Sequence, residues 1–183
     1  MTDIGAAYLA DALERFRKMK DTVERAMDQV RDDDLFASPS AEVNSIAIMM
    51  KHMSGNLRSR FTNFLTTDGE KPDRDRDGEF EIAAADDRSA LKAQWDLGWQ
   101  ALFSALAHLT STDLLRTVTI RGEPHSVIGA IDRQIAHQSY HAGQVVLLAK
   151  YYARDTWKTL SIPKRGSTEF TERMLKDTEA GSG

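Results

Sequence analysis

Apolar side chains recur at steps of three, four and seven over four long stretches of the chain. In the first, residues 3–31, Leu9, Leu13, Phe16, Val23, Met27 and Val30 share a face, with Met19 filling the gap. Asp11, Glu14, Arg17, Lys18, Asp21, Glu24, Arg25 and Asp28 take the other side. That alternation predicts an amphipathic helix with a core stripe, capped by Thr2 or Asp3. The segment 31–40, with its acid run and Pro39, breaks the period. A second helix is predicted from about Ala41 to Leu65, carrying Ile46, Met49, Met53, Leu57 and Phe61 among its apolar residues. A third is predicted over 88–110, where Leu91, Trp95, Gly98, Leu102, Ala105 and Leu109 step by four and three. Gly98 weakens a helix unless it permits a close approach, and Trp95 and Trp99 are read as core. The fourth is predicted over about 127–153, free of proline and roughly 40 Å long at 1.5 Å per residue. Between the third and fourth, Thr117–Ile120 favours a strand and Arg121-Gly122-Glu123-Pro124 a turn, which predicts a small β-hairpin.

Glycine, proline and charge fill residues 66–88, a link too long to be an ordinary loop. A link of that kind lets the next helix cross over and run parallel to the last. Within it, Asp73-Arg74-Asp75-Arg76-Asp77-Gly78 matches half of a calcium-binding loop. The twelfth position is Ala84, where a bidentate glutamate is needed, so a self-paired charged loop is the better reading. The tail, from Trp157 onward, holds Pro163, Gly166 and a short helical turn, with a flexible end from about residue 177.

Composition narrows the function. The chain has 183 residues, 41% apolar and 28% charged, which suits one soluble domain with its own core. Its net charge is −4 and no basic run stands out, so nucleic acid is not an expected partner. No apolar run approaches the ~20 residues a membrane helix needs, and the acidic start lacks a signal-peptide pattern, so a cytoplasmic location is expected. There is no cysteine. Any metal must be held by nitrogen or oxygen, and any thiol chemistry must use a thiol from outside.

The candidate chemistry lies in three histidines. His137 and His141 stand four apart on the fourth helix, one above the other on the same face, a spacing that lets two imidazoles grip one ion. His52 sits mid-way along the second helix. By itself it reads as a hydrogen-bonded core histidine; beside an HxxxH helix it becomes a third ligand. Three imidazoles suit zinc, nickel or ferrous iron. No carboxylate shares the stripe, so the donor set is expected to be neutral and the ion's charge largely uncompensated. Gln134, Gln138 and Asn56 are the residues expected to orient the rings. His108 reads as a helix cap, and His125 lies outside the interior.

The segments 44–80 and 117–150, the spacing of KHMSGN to HQSYHAGQ within them, and Leu160–Lys164 together resemble the DinB/YfiT-like superfamily of metal-dependent proteins, and more closely its DUF1572 branch. The resemblance implies an all-α, up-down-down-up four-helix bundle, often a homodimer, with a long crossover between helices 2 and 3. It implies a divalent metal, commonly zinc or nickel, on His52, His137 and His141. Characterised relatives join a low-molecular-weight thiol to a second substrate, or isomerise or hydrolyse small molecules. On that reading Asn56, Gln138 and Gln144 orient the nucleophile or a small-molecule substrate, and Arg58 or Arg60 draws an anionic group to the mouth. Two other readings stand beside it: a non-catalytic, metal-stabilised dimeric bundle for stress response or scaffolding, and a plain helical interaction protein with three core histidines.

Overall fold

The structure, a computed structural model, describes residues 3–180. Among these, the chain is mostly helical, with one small antiparallel hairpin. Helix α1 spans Ile4–Met27 and buries Leu9, Phe16 and Val23. Asp3 caps it, its carboxylate accepting from the backbone N–H groups of Gly5 and Ala6; the alternative cap, residue 2, lies outside the described residues. The helix is shorter than predicted. After Met27 the chain turns into a second, short helix, α2 (Asp32–Phe36), in the segment expected only to break the pattern. Three aspartates in its first turn suit a helix N-terminus, and Leu35, 1% exposed, anchors it.

Helix α3 (Ile46–Phe61) is also shorter than its predicted range, because Ser45 ends the extended segment before it and accepts from Ile48 N–H as a cap. It is buried nearly all round, polar residues included: His52, Ser54, Asn56, Ser59 and Arg60 join the methionines inside. Helix α4 (Arg88–Ala107) lies along it. Gly98 makes that approach possible. A Cβ at this position would stand 2.7 Å from the Ser54 carbonyl oxygen and 2.8 Å from the Ser54 Cα. Trp95 and Trp99 are fully buried and meet edge to face, ring centroids 5.4 Å apart. His108 caps the end of α4, its Nδ1 2.6 Å from the Ser104 carbonyl.

Strands β1 (Thr117–Ile120) and β2 (Glu123–Ser126) pair with Thr117 opposite Ser126 and Ile120 opposite Glu123. The turn is two residues, Arg121 and Gly122, both with positive φ (57° and 75°), the geometry that fits the twist of a hairpin. Pro124 therefore belongs to the strand and not to the turn. It faces Thr119 in the pair next to the closing one, which makes no ladder bond, so its missing N–H costs nothing. The Thr119 carbonyl instead accepts from Gly69 N–H at 2.8 Å. That bond ties the hairpin to the long link. Helix α5 then runs over Val127–Ala153, as the periodicity predicts, with Ser126 as its cap. It packs chiefly on α1 and also on α3. A last helix, α6 (Ser167–Ala180), is longer than the turn expected in the tail; the end of the tail, residues 181–183, lies outside the described residues. No helix among the described residues is long and apolar enough to cross a membrane.

Candidate metal centre

His52 from α3 and His137 and His141 from α5 converge. One nitrogen from each ring lies within 4.8 Å of the other two. Which nitrogens these are follows from the partners of the others. His52 Nδ1 is 2.9 Å from Glu79 Oε2, and His141 Nδ1 is 2.9 Å from Gln144 Oε1. Each of those oxygens accepts, so each Nδ1 carries the proton and each Nε2 presents a lone pair. His52 Nε2 lies 3.2 Å from His137 Nε2. Two ligands of a tetrahedral zinc, each at ~2.05 Å, stand about 3.3 Å apart, so the observed spacing fits one ion held by both. His137 Nδ1 is buried and has no hydrogen-bond partner among the described residues.

The two rings on α5 are tuned to stay neutral, as ligands must be. Burial, followed by the charge the neighbouring His141 and His52 would carry, pushes the His137 pKa down to about 3. Burial also lowers His141, against the pull of its Gln144 bond. His52 is 6% exposed, while His137 and His141 are only partly buried. The cluster thus opens on the α5 side. Phe80 covers His52 with ring centroids 4.9 Å apart, and Tyr140 stands against His141 at 5.1 Å.

No carboxylate shares the histidine stripe, but one lies directly behind it. Glu79 belongs to a 3-10 turn (Gly78–Phe80) in the long link and is 8% exposed. Burial raises its carboxyl, but hydrogen bonds to His52 and Arg74 outweigh this and hold it below the usual carboxylate range. Arg74 grips it with both arms of the guanidinium, Nε to Oε1 and Nη2 to Oε2, each at 2.8 Å. The three rings are thus backed by a carboxylate 27 residues from His52 in sequence, paired with a buried guanidinium so that the two charges offset. The half calcium loop is thereby also explained. Asp73 pairs with Arg58 at 3.0 Å, Asp75 accepts from Gly78 N–H, and Arg74, 4% exposed, is committed to Glu79.

The remaining sequence candidates sort by place. Gln144 orients His141. Gln138 is fully buried and donates to the Met53 carbonyl at 3.3 Å, joining α5 to α3. Asn56, one turn from His52, is 7% exposed, and its Oδ1 has no partner among the described residues; neither it nor Gln138 bonds a histidine. Gln134 lies by a small cavity beside Arg60, away from the histidines. Arg60 is buried and bonds Glu70 at 2.9 Å and the Gly69 carbonyl, so it supports the link. Arg58 borders a cleft of about 590 Å³ between α3, α4 and the link. Glu79 and Arg74 form part of that cleft's wall. His125 is in β2, 3.6 Å from Glu123. Glu79 is the site residue that the helical pattern missed. Its signal was indirect: a buried histidine needs a partner for its second nitrogen, and the link offers several carboxylates.

A family model described as a protein of unknown function, DUF1572, matches residues 3–166. No curated protein matches the chain.

Proposed function

The chain belongs to the DUF1572 family, and from its histidine cluster we propose that it is a divalent-metal-dependent enzyme of the DinB/YfiT-like type. Its fold on this reading is the up-down-down-up four-helix bundle, formed by α1, α3, α4 and α5, with residues 66–87 as the crossover. His52, His137 and His141 hold the ion through their Nε2 atoms, and zinc or nickel suits three neutral imidazoles best, with iron a third choice. The observation that carries the reading is the convergence of one ring nitrogen from each histidine within 4.8 Å of the others, with two of the three rings only half-buried. A divalent ion held there would supply Lewis acidity, lowering the pKa of a water or a low-molecular-weight thiol toward neutral.

The chain's own residues do the rest. Glu79 and Gln144 hold two of the rings in the ligating tautomer. Phe80 excludes water from one side of His52. With no cysteine in the chain, a thiol nucleophile comes with the substrate. A homodimer is the expected assembly, and exposed Tyr140, Leu147 and Tyr151 along α5 give a second copy an apolar face to cover. Proteins purified without chelator test the reading: wild type carries close to one ion per chain, His137→Ala carries far less, and only the former turns over a panel of thiol and hydrolysable substrates. Equal, negligible metal in both removes the proposal.

A second reading is a structural metal that clamps α3 to α5. The burial of His52, 6% exposed, favours it, since binding energy at such a site becomes folding energy. Metal removal then lowers the melting temperature, and no member of the panel is turned over.

A further inference from the structure

We propose that Glu79 is the positioning residue of the centre, that Gly55 is the opening through which it reaches His52, and that metal binding is thereby coupled to docking of the 66–81 link. The proposal rests on the metal reading above and goes beyond it to a part of the chain outside the histidine helices.

The geometry runs from the loop inward. A free histidine exchanges its proton between two nitrogens, and only one tautomer of His52 turns a lone pair toward His137 and His141. An ionised carboxylate accepts and never donates. Glu79 Oε2, 2.9 Å from His52 Nδ1, therefore selects the tautomer that ligates through Nε2. The carboxylate itself cannot swing away, because Arg74 holds both of its oxygens at 2.8 Å and is almost wholly buried. Charge-assisted, forked pairs of this kind fix orientation as well as energy. The approach crosses the surface of α3 at one residue. A Cβ on Gly55 would collide with Glu79 Oε1 and stand 2.8 Å from its Cδ. Any side chain there displaces the carboxylate. Glycine is less favourable than alanine inside a helix, yet α3 has one three residues after His52, where the carboxylate passes.

Arg74 and Glu79 both belong to the link. Anything that loosens the link releases His52, and anything that fixes His52 on an ion favours the docked link; the two effects are equal by linkage. The cleft of about 590 Å³ shares Arg74 and Glu79 as wall, so a molecule bound there touches the residues that govern the ion.

The test uses the full chain as wild type, Glu79→Gln, Gly55→Ala and the double variant. Zinc affinity is read by competition with a chromophoric chelator, and the metal-free proteins are compared by circular dichroism and by 15N NMR of the imidazoles. Each single variant is expected to weaken zinc by about 10- to 100-fold, the usual cost of losing the partner behind a ligating histidine. The double variant is expected to bind no more weakly than the weaker single, because both changes break one contact. Metal-free wild type shows His52 as the Nδ1–H tautomer, and Glu79→Gln shows a mixture. Unchanged zinc affinity in a folded Glu79→Gln protein overturns the proposal, as do losses that add in the double variant. If Glu79→Gln does not fold, Arg74→Gln and Gly55→Ala carry the same comparison. Failure of the metal reading looks different: wild type itself binds no zinc, while the NMR comparison still reports whether Glu79 sets the tautomer.

Discussion

Two glycines in helix interiors are expected to respond to the same mutation with opposite signs. Replacing glycine by alanine in a helix gains about 0.8–1 kcal/mol from propensity, much of it from the restricted unfolded chain. At Gly143, in α5, a Cβ meets nothing within 4 Å, so Gly143→Ala keeps that gain. At Gly98, in α4, the new Cβ lies 2.7 Å from the Ser54 carbonyl oxygen, 2.8 Å from its Cα and 3.0 Å from its Cβ. Carbon contacts settle at roughly 3.5–4.0 Å, and the obstructing atoms are mostly helix backbone, which does not rotate away. Helices α3 and α4 must part, at the overpacking cost of ~1–3 kcal/mol. With backbone in the way the upper half of that range applies, so Gly98→Ala is expected to lose about 1–2 kcal/mol net. The gap between the two variants is then ~2–3 kcal/mol. For a chain of this length that corresponds to a difference of roughly 4–12 °C in Tm. Urea and thermal unfolding of the metal-free proteins, followed by circular dichroism, read it directly. If Gly98→Ala proves as stable as Gly143→Ala, the close approach of α3 and α4 is wrong, and with it the placement of His52.

Acid sensitivity of the metal-free protein follows from His137. Its folded pKa of about 3 lies below the ordinary histidine value of 6.5, so between those values the unfolded chain binds more protons. Stability is whole above pH 6.5 and falls as pH drops toward 3, by at most about 1.4 kcal/mol per unit and less because the ring is partly exposed. His137→Gln should flatten the profile between pH 6.5 and 5; parallel profiles would refute the burial argument. Asp68 holds the hairpin turn, accepting from Arg121 N–H and Gly122 N–H at 2.8 Å each and from Glu70 N–H at 2.7 Å. Asp68→Ala should cost about 1–2 kcal/mol and raise amide exchange at 119–123, whereas unchanged exchange there would show that the turn stands without it.

The four long helices of the bundle region, α1, α3, α4 and α5, were legible because each has a simple period. Helix α5 begins and ends where its pattern does, since Ser126 caps it and Arg154, with φ of 49°, stops it. Helix α3 was read too long at both ends. Val43, Phe64 and Leu65 are apolar enough to continue a stripe, and periodicity cannot see that Ser45 turns its hydroxyl back to Ile48 N–H or that Asn63 takes a positive φ. Segment 31–40 was read as a break, yet Leu35 had a buried place to fill. Tertiary burial, not propensity, makes α2 a helix.

The three histidines show the same division. That His137 and His141 share a face follows from helix geometry alone. That His52 meets them depends on how α3 rolls against α5, and that roll is set by contacts such as Gln138 to the Met53 carbonyl and Gly98 to Ser54. The carboxylate behind His52 was beyond any helical reading. The histidine stripe itself carries no carboxylate, because the one that matters arrives from the link and passes over a glycine of α3. Loops of this length in compact proteins generally carry function. Here the long link places one carboxylate behind one imidazole, and that single contact makes His52 Nδ1 the donor and leaves its Nε2 facing His137.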